Sequence, residues 1–246
     1  DFNGLGSSNI HLGENILFSL GTPEKHASKN SPLAQIDDYK FGKILEINKE
    51  ELFKSSANNK IDVKIYSKGH RVPQGLTKLN NSIFSVEHGP KGGDELNKII
   101  KGNNYGWPKV SYGTNYLKDN GGDGISYVIN HQINGFTEPL FAFVPSVGIS
   151  SLNKCPKKLI NFYQKPCLMA LSLYGNNLRK GYSILIFLLN EDLSKVNSIE
   201  KISLDDLALR HFVTNENNDI FEDEEGNIYI SADKRGIFKV KFSDFR

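Results

Sequence analysis

Apolar runs of strand length, bounded by Gly, Asn, Asp and Pro, dominate the chain and recur in pairs. Residues 16–20 are followed by 42–47, 82–86 by 96–100, 168–173 by 182–187, and 227–231 by 236–240. In each pair the first run is apolar with small or polar residues near its end. Most of the second runs alternate apolar and polar positions more clearly, as a half-buried strand does. No apolar stripe keeps helical spacing for three turns, and residues 49–55 and 203–209 are the best short helix candidates. Four copies of one strand pair, about 60 to 85 residues apart, mark a repeat architecture. Sheets repeated radially around an axis make a β-propeller. The pattern therefore predicts an all-β propeller of four-stranded antiparallel blades, with a two-sheet sandwich as the alternative. The long segment 107–144 falls on a propeller face as a loop, where a rigid scaffold usually carries its sites.

Composition adds class limits. The 246 residues are 38% hydrophobic and 24% charged, with 22 glycines, which is ordinary for a globular chain rich in turns. The net charge is +2, and the lysines stand singly among acids, so the charge reads as a solvated surface and no nucleic-acid partner is expected. The most apolar run, 184–189, has strand length, so no membrane span is expected, and the chain carries no signal peptide. Cys155 and Cys167 are able to form a disulfide in an oxidising compartment.

Candidate chemistry concentrates in residues 69–108. Gly89-Pro90 ends a strand, and Pro90 has no N–H, so the segment can turn and direct its carbonyls into a cleft as hard oxygen ligands for Ca²⁺. Glu87, Asp94 and Glu95 put negative charge close by, and Gly92-Gly93 permits close backbone approach. Arg71 and Gln74 are placed on a loop one strand earlier, facing the same cleft. Arg71 offers a planar fork of donors that does not deprotonate.

Three linked motifs then become recognisable: Gly69-His70-Arg71-Val72-Pro73-Gln74-Gly75-Leu76, Glu87-His88-Gly89-Pro90-Lys91-Gly92-Gly93-Asp94-Glu95-Leu96-Asn97, and Asn104-Tyr105-Gly106-Trp107-Pro108. In this order and spacing they resemble the glucose/sorbosone dehydrogenase family. The resemblance extends more weakly over almost the whole chain, through Phe41-Gly42-Lys43-Ile44, Val144-Pro145-Ser146 and residues 223–232. It implies a six-bladed propeller of which this chain supplies about four blades as an open arc, with two blades N-terminal to Asp1, in a single domain over 1–246. It also implies pyrroloquinoline quinone (PQQ) and Ca²⁺ as cofactors, a sugar or related alcohol as substrate, and a periplasmic or secreted location. By the resemblance Arg71 is the catalytic cation beside the quinone's reactive carbonyl. Gln74 and His88 line the cofactor plane, Gly89 and Pro90 hold the metal under the quinone, and Trp107 is structural.

The pattern also breaks. Val72 stands where the family has Asn, and Tyr174 stands where a lysine meets a cofactor carboxylate. The family's Gly-Arg-Ile-Arg-Asp segment aligns with Asn215-Glu216-Asn217-Asn218-Asp219, so Tyr174 and Asn218 are expected to face the cofactor's acid groups. Three lost cations, at about 1.5–3 kcal/mol each, weaken binding by roughly three orders of magnitude or more. Asn3 aligns with the histidine base, and Thr22 replaces the Asp that ends the first strand. Asn cannot take a hydroxyl proton, so turnover is expected at least about a hundredfold below an intact relative. Two functions follow: a PQQ-dependent sugar dehydrogenase, impaired, or a non-catalytic propeller that binds a saccharide or protein through a calcium-stabilised cleft.

Overall fold

Each of the four predicted strand pairs is a pair of antiparallel neighbours in the computed structural model, which describes residues 6–23, 32–54, 61–114, 127, 129–173, 182–204, 209–215, 219–232 and 236–242. The first sheet holds β1 (Asn9–Leu12), β2 (Asn15–Leu20), β3 (Lys43–Asn48) and β4 (Lys64–Lys68). The second holds β5 (Val72–Leu79), β6 (Ser82–His88), β7 (Asp94–Ile99) and β8 (Phe141–Phe143). The third holds β9 (Ile149–Lys154), β10 (Cys167–Ser172), β11 (Ser183–Leu189) and β12 (Val196–Ser203). In the fourth, β13 (Leu209–Phe212), β14 (Ile228–Ala232) and β15 (Gly236–Val240) form a three-stranded sheet among the described residues. Strand order follows chain order in every sheet, as short hairpin connections dictate.

The sheets stack face to face about an axis. Alternate residues of one strand feed opposite cores: Met169 and Leu171 of β10 pack with Ile184, Phe212, Ile228 and Ile230, whereas Leu168 and Ala170 pack with Phe84, Val86, Leu96 and Phe187. A third core joins the first two sheets through Ile10, Leu17, Ile44, Leu76 and Ile83. Strands β10 and β11 are therefore buried on both faces and read as continuous apolar runs, while the outer strand β12 is largely exposed. The first strand of each sheet lines the axis, with β1 against β5, β5 against β9, and β9 against β13. No comparable packing joins β13 back to β1 among the described residues, so the sheets form an open arc. Gly75 permits the tightest of these approaches, since a Cβ there would lie 2.5 Å from the Leu152 backbone nitrogen.

The helix expected at 49–55 is present as α1 (Lys49–Lys54). The one expected at 203–209 is not a helix at either end: Ser203 closes β12 and Leu209 opens β13. Its apolar spacing reflects Ile202 and Leu204 packing on the core shared with Phe212. A further helix, α2 (Lys157–Tyr163), follows β9 and buries Leu159. Among its described residues the segment 107–144 is mostly loop but also contributes β8 as the outer strand of the second sheet.

Cys155 and Cys167 form a buried disulfide that ties the end of β9 to the start of β10. A crosslink closing so short a loop stabilises by about 3 kcal/mol in the chain-entropy account. Thermal unfolding followed with and without a reductant should show the reduced chain melting several degrees lower. Equal melting temperatures would show that the crosslink adds nothing to the fold.

Candidate functional site

The site-bearing motifs meet at one end of the axis, where β5 begins and β6 ends. Register places Val72 opposite His88 and Pro73 opposite Glu87, then shifts at Gln74 before Gly75 pairs with Val86. Gln74 is thus the extra residue of a β-bulge within β5, a device that re-aims a side chain. The loop expected to carry Arg71 and Gln74 is therefore only partly a loop: Arg71 directly precedes β5 and Gln74 lies inside it.

Arg71 is held on every side. Its backbone N–H donates to Glu87 Oε2 at 2.8 Å, and its carbonyl accepts from the Thr22 backbone N–H at 2.7 Å and the Thr22 hydroxyl at 3.1 Å. The guanidinium donates through Nη1 to the His88 carbonyl at 3.2 Å and stacks over the Trp107 ring, 5.3 Å from its centroid. That distance lies within cation–π range. Trp107 is fixed in turn through its backbone: the backbone N–H donates to the Gly69 carbonyl at 3.0 Å, and the carbonyl accepts from Gln35 Nε2 at 2.6 Å. Sequence marks Thr22 only as a departure from the family's Asp, and Trp107 only as structural. The position of Trp107 within the third motif is the one signal that points to it.

After His88 the chain makes a turn that leaves no room for side chains: a Cβ on Gly89 would collide with the carbonyl oxygens of Gly92 and Gly93. Among the described residues, the Gly89 and Pro90 carbonyls accept no hydrogen bond from the backbone. Asp94 fixes the turn from below. Its carboxylate accepts from Gly89 N at 3.1 Å, Ser146 Oγ at 2.8 Å, Val147 N at 3.1 Å and Ile149 N at 3.1 Å, and the residue is 2% exposed. Asp94 therefore belongs to the scaffold that joins sheets two and three. Among the described residues no group of three or more His, Cys, Asp or Glu side chains is arranged to hold a metal ion.

The other two acids form a buried polar layer. Glu87 and Glu95 are directly opposite in register on β6 and β7, and Asn97 Nδ2 bridges them at 2.9 and 3.1 Å. His70 lies against Glu87 Oε1 at 3.4 Å, bonds Ser67 Oγ at 2.9 Å and stacks on Tyr105. His131 stands 3.7 Å from Glu95 and 3.6 Å from Glu138. Burial, reinforced by the neighbouring Glu87 charge, pushes the Glu95 carboxyl well above its ordinary value of 4.5. Burial pushes the His131 imidazole down, against the pull of Glu138. Because the folded Glu95 keeps a proton that the unfolded chain has released, stability falls as pH rises from 4.5 toward the folded value. Glu95→Gln should remove that slope, raising stability at neutral pH by about 1 kcal/mol or more while changing little near pH 4. Denaturant unfolding of both proteins across that range checks it; identical pH profiles would contradict the buried neutral carboxyl.

His88 keeps its ring beside the next sheet. Burial pushes its imidazole below the ordinary value, Asp94 opposes this, and the charges of Arg71 and Arg210 add to it; the ring also bonds the Ile149 backbone. Its Nε2 is buried with no hydrogen-bond partner among the described residues. Arg210, on β13, is thus a cation whose field reaches the site.

Of the segment that aligns with the family's arginines, the two ends are described. Asn215 and Asp219 line a cavity of about 830 Å³ with Leu79, Asn80 and Lys154, at the end of the axis away from Arg71. Asp219 is engaged there by Lys154 at 2.8 Å. Asn215 lies there because β13 runs alongside β9 and ends toward the far end of the axis. Tyr174, Asn218 and Asn3 lie outside the described residues.

Sheets stacked first strand to first strand, with a polar cluster at one end of the shared axis, define a β-propeller whose site lies on one face. The chain belongs to the glucose/sorbosone dehydrogenase family, whose model matches residues 5–237. It is 32% identical over 159 residues to the aldose sugar dehydrogenase YliI of Escherichia coli, covering 61% of this chain and 38% of that protein. It is 36% identical over 115 residues to quinoprotein glucose dehydrogenase B of Acinetobacter calcoaceticus, covering 44% and 23%. In fold it matches a solved glucose dehydrogenase with a TM-score of 0.73 at 24% identity, covering 98% of this chain and 65% of that one. The chain thus spans less than two thirds of the length of each.

Proposed function

We propose that this chain carries the cofactor face of a PQQ- and Ca²⁺-dependent dehydrogenase that oxidises an aldose or related alcohol, with a weakened hold on the cofactor. The observation that carries the reading is the juxtaposition of the anchored Arg71 fork with the Gly89-Pro90 turn and its uncommitted carbonyls. The residues present fit such a group at its reactive edge: a fixed cation, two hard oxygen ligands, and a buried His88 nitrogen with no partner among the described residues. PQQ, when bound, supplies a quinone that accepts the hydride from the sugar carbon.

The chain's own residues do the rest. Arg71 offers a permanent positive charge and spare donors where negative charge develops, and it does so without reorganising because Thr22, Glu87 and Trp107 already fix it. Gly89 and Pro90 supply two of the roughly 6–8 oxygens that Ca²⁺ takes, so affinity for the metal alone is low. Gln74, re-aimed by its bulge, and His88 flank the same end of the axis. Arg210 serves as a cation toward a cofactor carboxylate, while Tyr174 in place of lysine leaves another carboxylate without its partner. With Asn3 at the base position, proton removal from the substrate hydroxyl is slow.

The buried disulfide favours an oxidising compartment and hence a periplasmic or secreted protein. Among the described residues no helix is long and apolar enough to cross a membrane. The missing lysine and base equally favour the second reading, a propeller that binds a saccharide or protein through the same cleft without turnover. Anaerobic addition of aldoses to the protein loaded with PQQ and Ca²⁺, followed by quinone absorbance, separates the two. Slow bleaching that Arg71→Gln abolishes supports the dehydrogenase; binding without bleaching supports the second reading.

A further inference from the structure

Beneath Arg71 lies a cavity of about 10 Å³ whose lining includes Arg71, Glu87, His88, Glu95 and Trp107. That is room for one water, and a buried water needs about 2–4 polar partners. Three of the lining side chains hold a buried nitrogen with no partner among the described residues: Arg71 Nε, Trp107 Nε1 and His88 Nε2. Two of these, the guanidinium Nε–H and the indole Nε1–H, are obligate donors. The same wall carries two carboxyl groups, Glu87 and Glu95, whose known partners leave acceptor capacity. Two donors and two acceptors around a one-water space match the tetrahedral demand of a water molecule. Leaving both donors unpaired would cost about 1–3 kcal/mol each.

We propose that this cavity is a built site for one internal water, which accepts from Arg71 Nε–H and Trp107 Nε1–H and donates to the Glu87 and Glu95 carboxyl groups. The water and the indole together fix the roll of the guanidinium about its long axis: the ring sets its plane and the water sets the direction of Nε–H. Nη1 is already committed to the His88 carbonyl, which leaves Nη2 as the guanidinium's remaining donor group. Trp107 is then a positioning residue, acting through Arg71. That role rests on the proposed part of Arg71 in the reaction; the water site does not.

The test uses the cofactor-free chain. Trp107 is its one tryptophan, so its indole N–H gives one unambiguous NMR signal. Rotating-frame cross-relaxation from water should reach both this proton and Arg71 Nε–H, with the sign of dipolar contact and not of exchange. Absence of the contact at both protons would overturn the water site. In Trp107→Phe the platform stays and the donor goes, and exchange of Arg71 Nε–H with solvent should speed up at least about tenfold. Unchanged exchange would overturn the positioning role, and should this variant not fold, the wild-type measurement still decides the water. In active protein the same variant should lower kcat about tenfold or more with the sugar KM kept; a raised KM with kcat kept would contradict positioning. The first two readouts need no turnover, so failure of the dehydrogenase reading leaves them standing and their failure leaves that reading standing.

Discussion

Asp94→Ala should destabilise the chain by at least about 3 kcal/mol and abolish the candidate site with it. Four donors converge on this carboxylate: the Gly89, Val147 and Ile149 backbone N–H groups and the Ser146 hydroxyl. Each buried donor left unpaired costs about 1–3 kcal/mol, and water can reach few of them, because Asp94 is 2% exposed. The donors come from the turn after β6 and from the segment leading into β9, so the loss loosens the joint between sheets two and three. Asp94→Asn is milder, since its amide keeps one acceptor oxygen. Urea unfolding of the three proteins measures this order directly. A stability loss under about 1 kcal/mol for Asp94→Ala would show that the joint is held by packing alone.

The second large effect concerns cofactor affinity, and here sequence and structure prescribe different experiments. The resemblance places an arginine-bearing segment at residues 215–219, whereas its described ends, Asn215 and Asp219, line the cavity at the far end of the axis and Arg210 lies within electrostatic reach of His88. Arg210→Gln should therefore loosen PQQ by about tenfold to a hundredfold, the worth of one charge-assisted contact of about 1.5–3 kcal/mol. Tyr174→Lys should tighten it by a similar factor, because the resemblance places a lysine there against a carboxylate. Asn218→Arg should change little. Fluorescence of Trp107, close under Arg71, is a convenient readout of the titration. Tightening by Asn218→Arg together with indifference to Arg210→Gln would show the alignment to be the better guide.

Strand pairs were legible where a sheet's second and third strands are continuous apolar runs, as in β10 and β11, because sheets stacked on both faces bury both sides of those strands. The axial strands were harder. β5 contains Pro73 and Gly75, which read as breakers, yet Pro73 is tolerated on an edge strand and Gly75 is required by the close approach of Leu152. The motif sequence pointed to Arg71 and the Gly89-Pro90 turn, and the structure does bring them together. It could not separate the roles of three acids close in sequence: Asp94 turns into the sheet joint, while Glu87 and Glu95 face each other across a register that no local spacing reveals. Thr22 and Trp107 escaped because their contacts to Arg71 span 49 and 36 positions along the chain.

The central claim is that the cation-and-carbonyl edge of a quinone site is kept while the hold on the cofactor's carboxylates is reduced. Isothermal titration of the wild-type chain with PQQ, with and without Ca²⁺, tests it most directly. The account predicts calcium-dependent binding at micromolar levels, because it assigns one arginine to the acid groups and no lysine to meet them. Nanomolar binding, or binding indifferent to calcium, would contradict it.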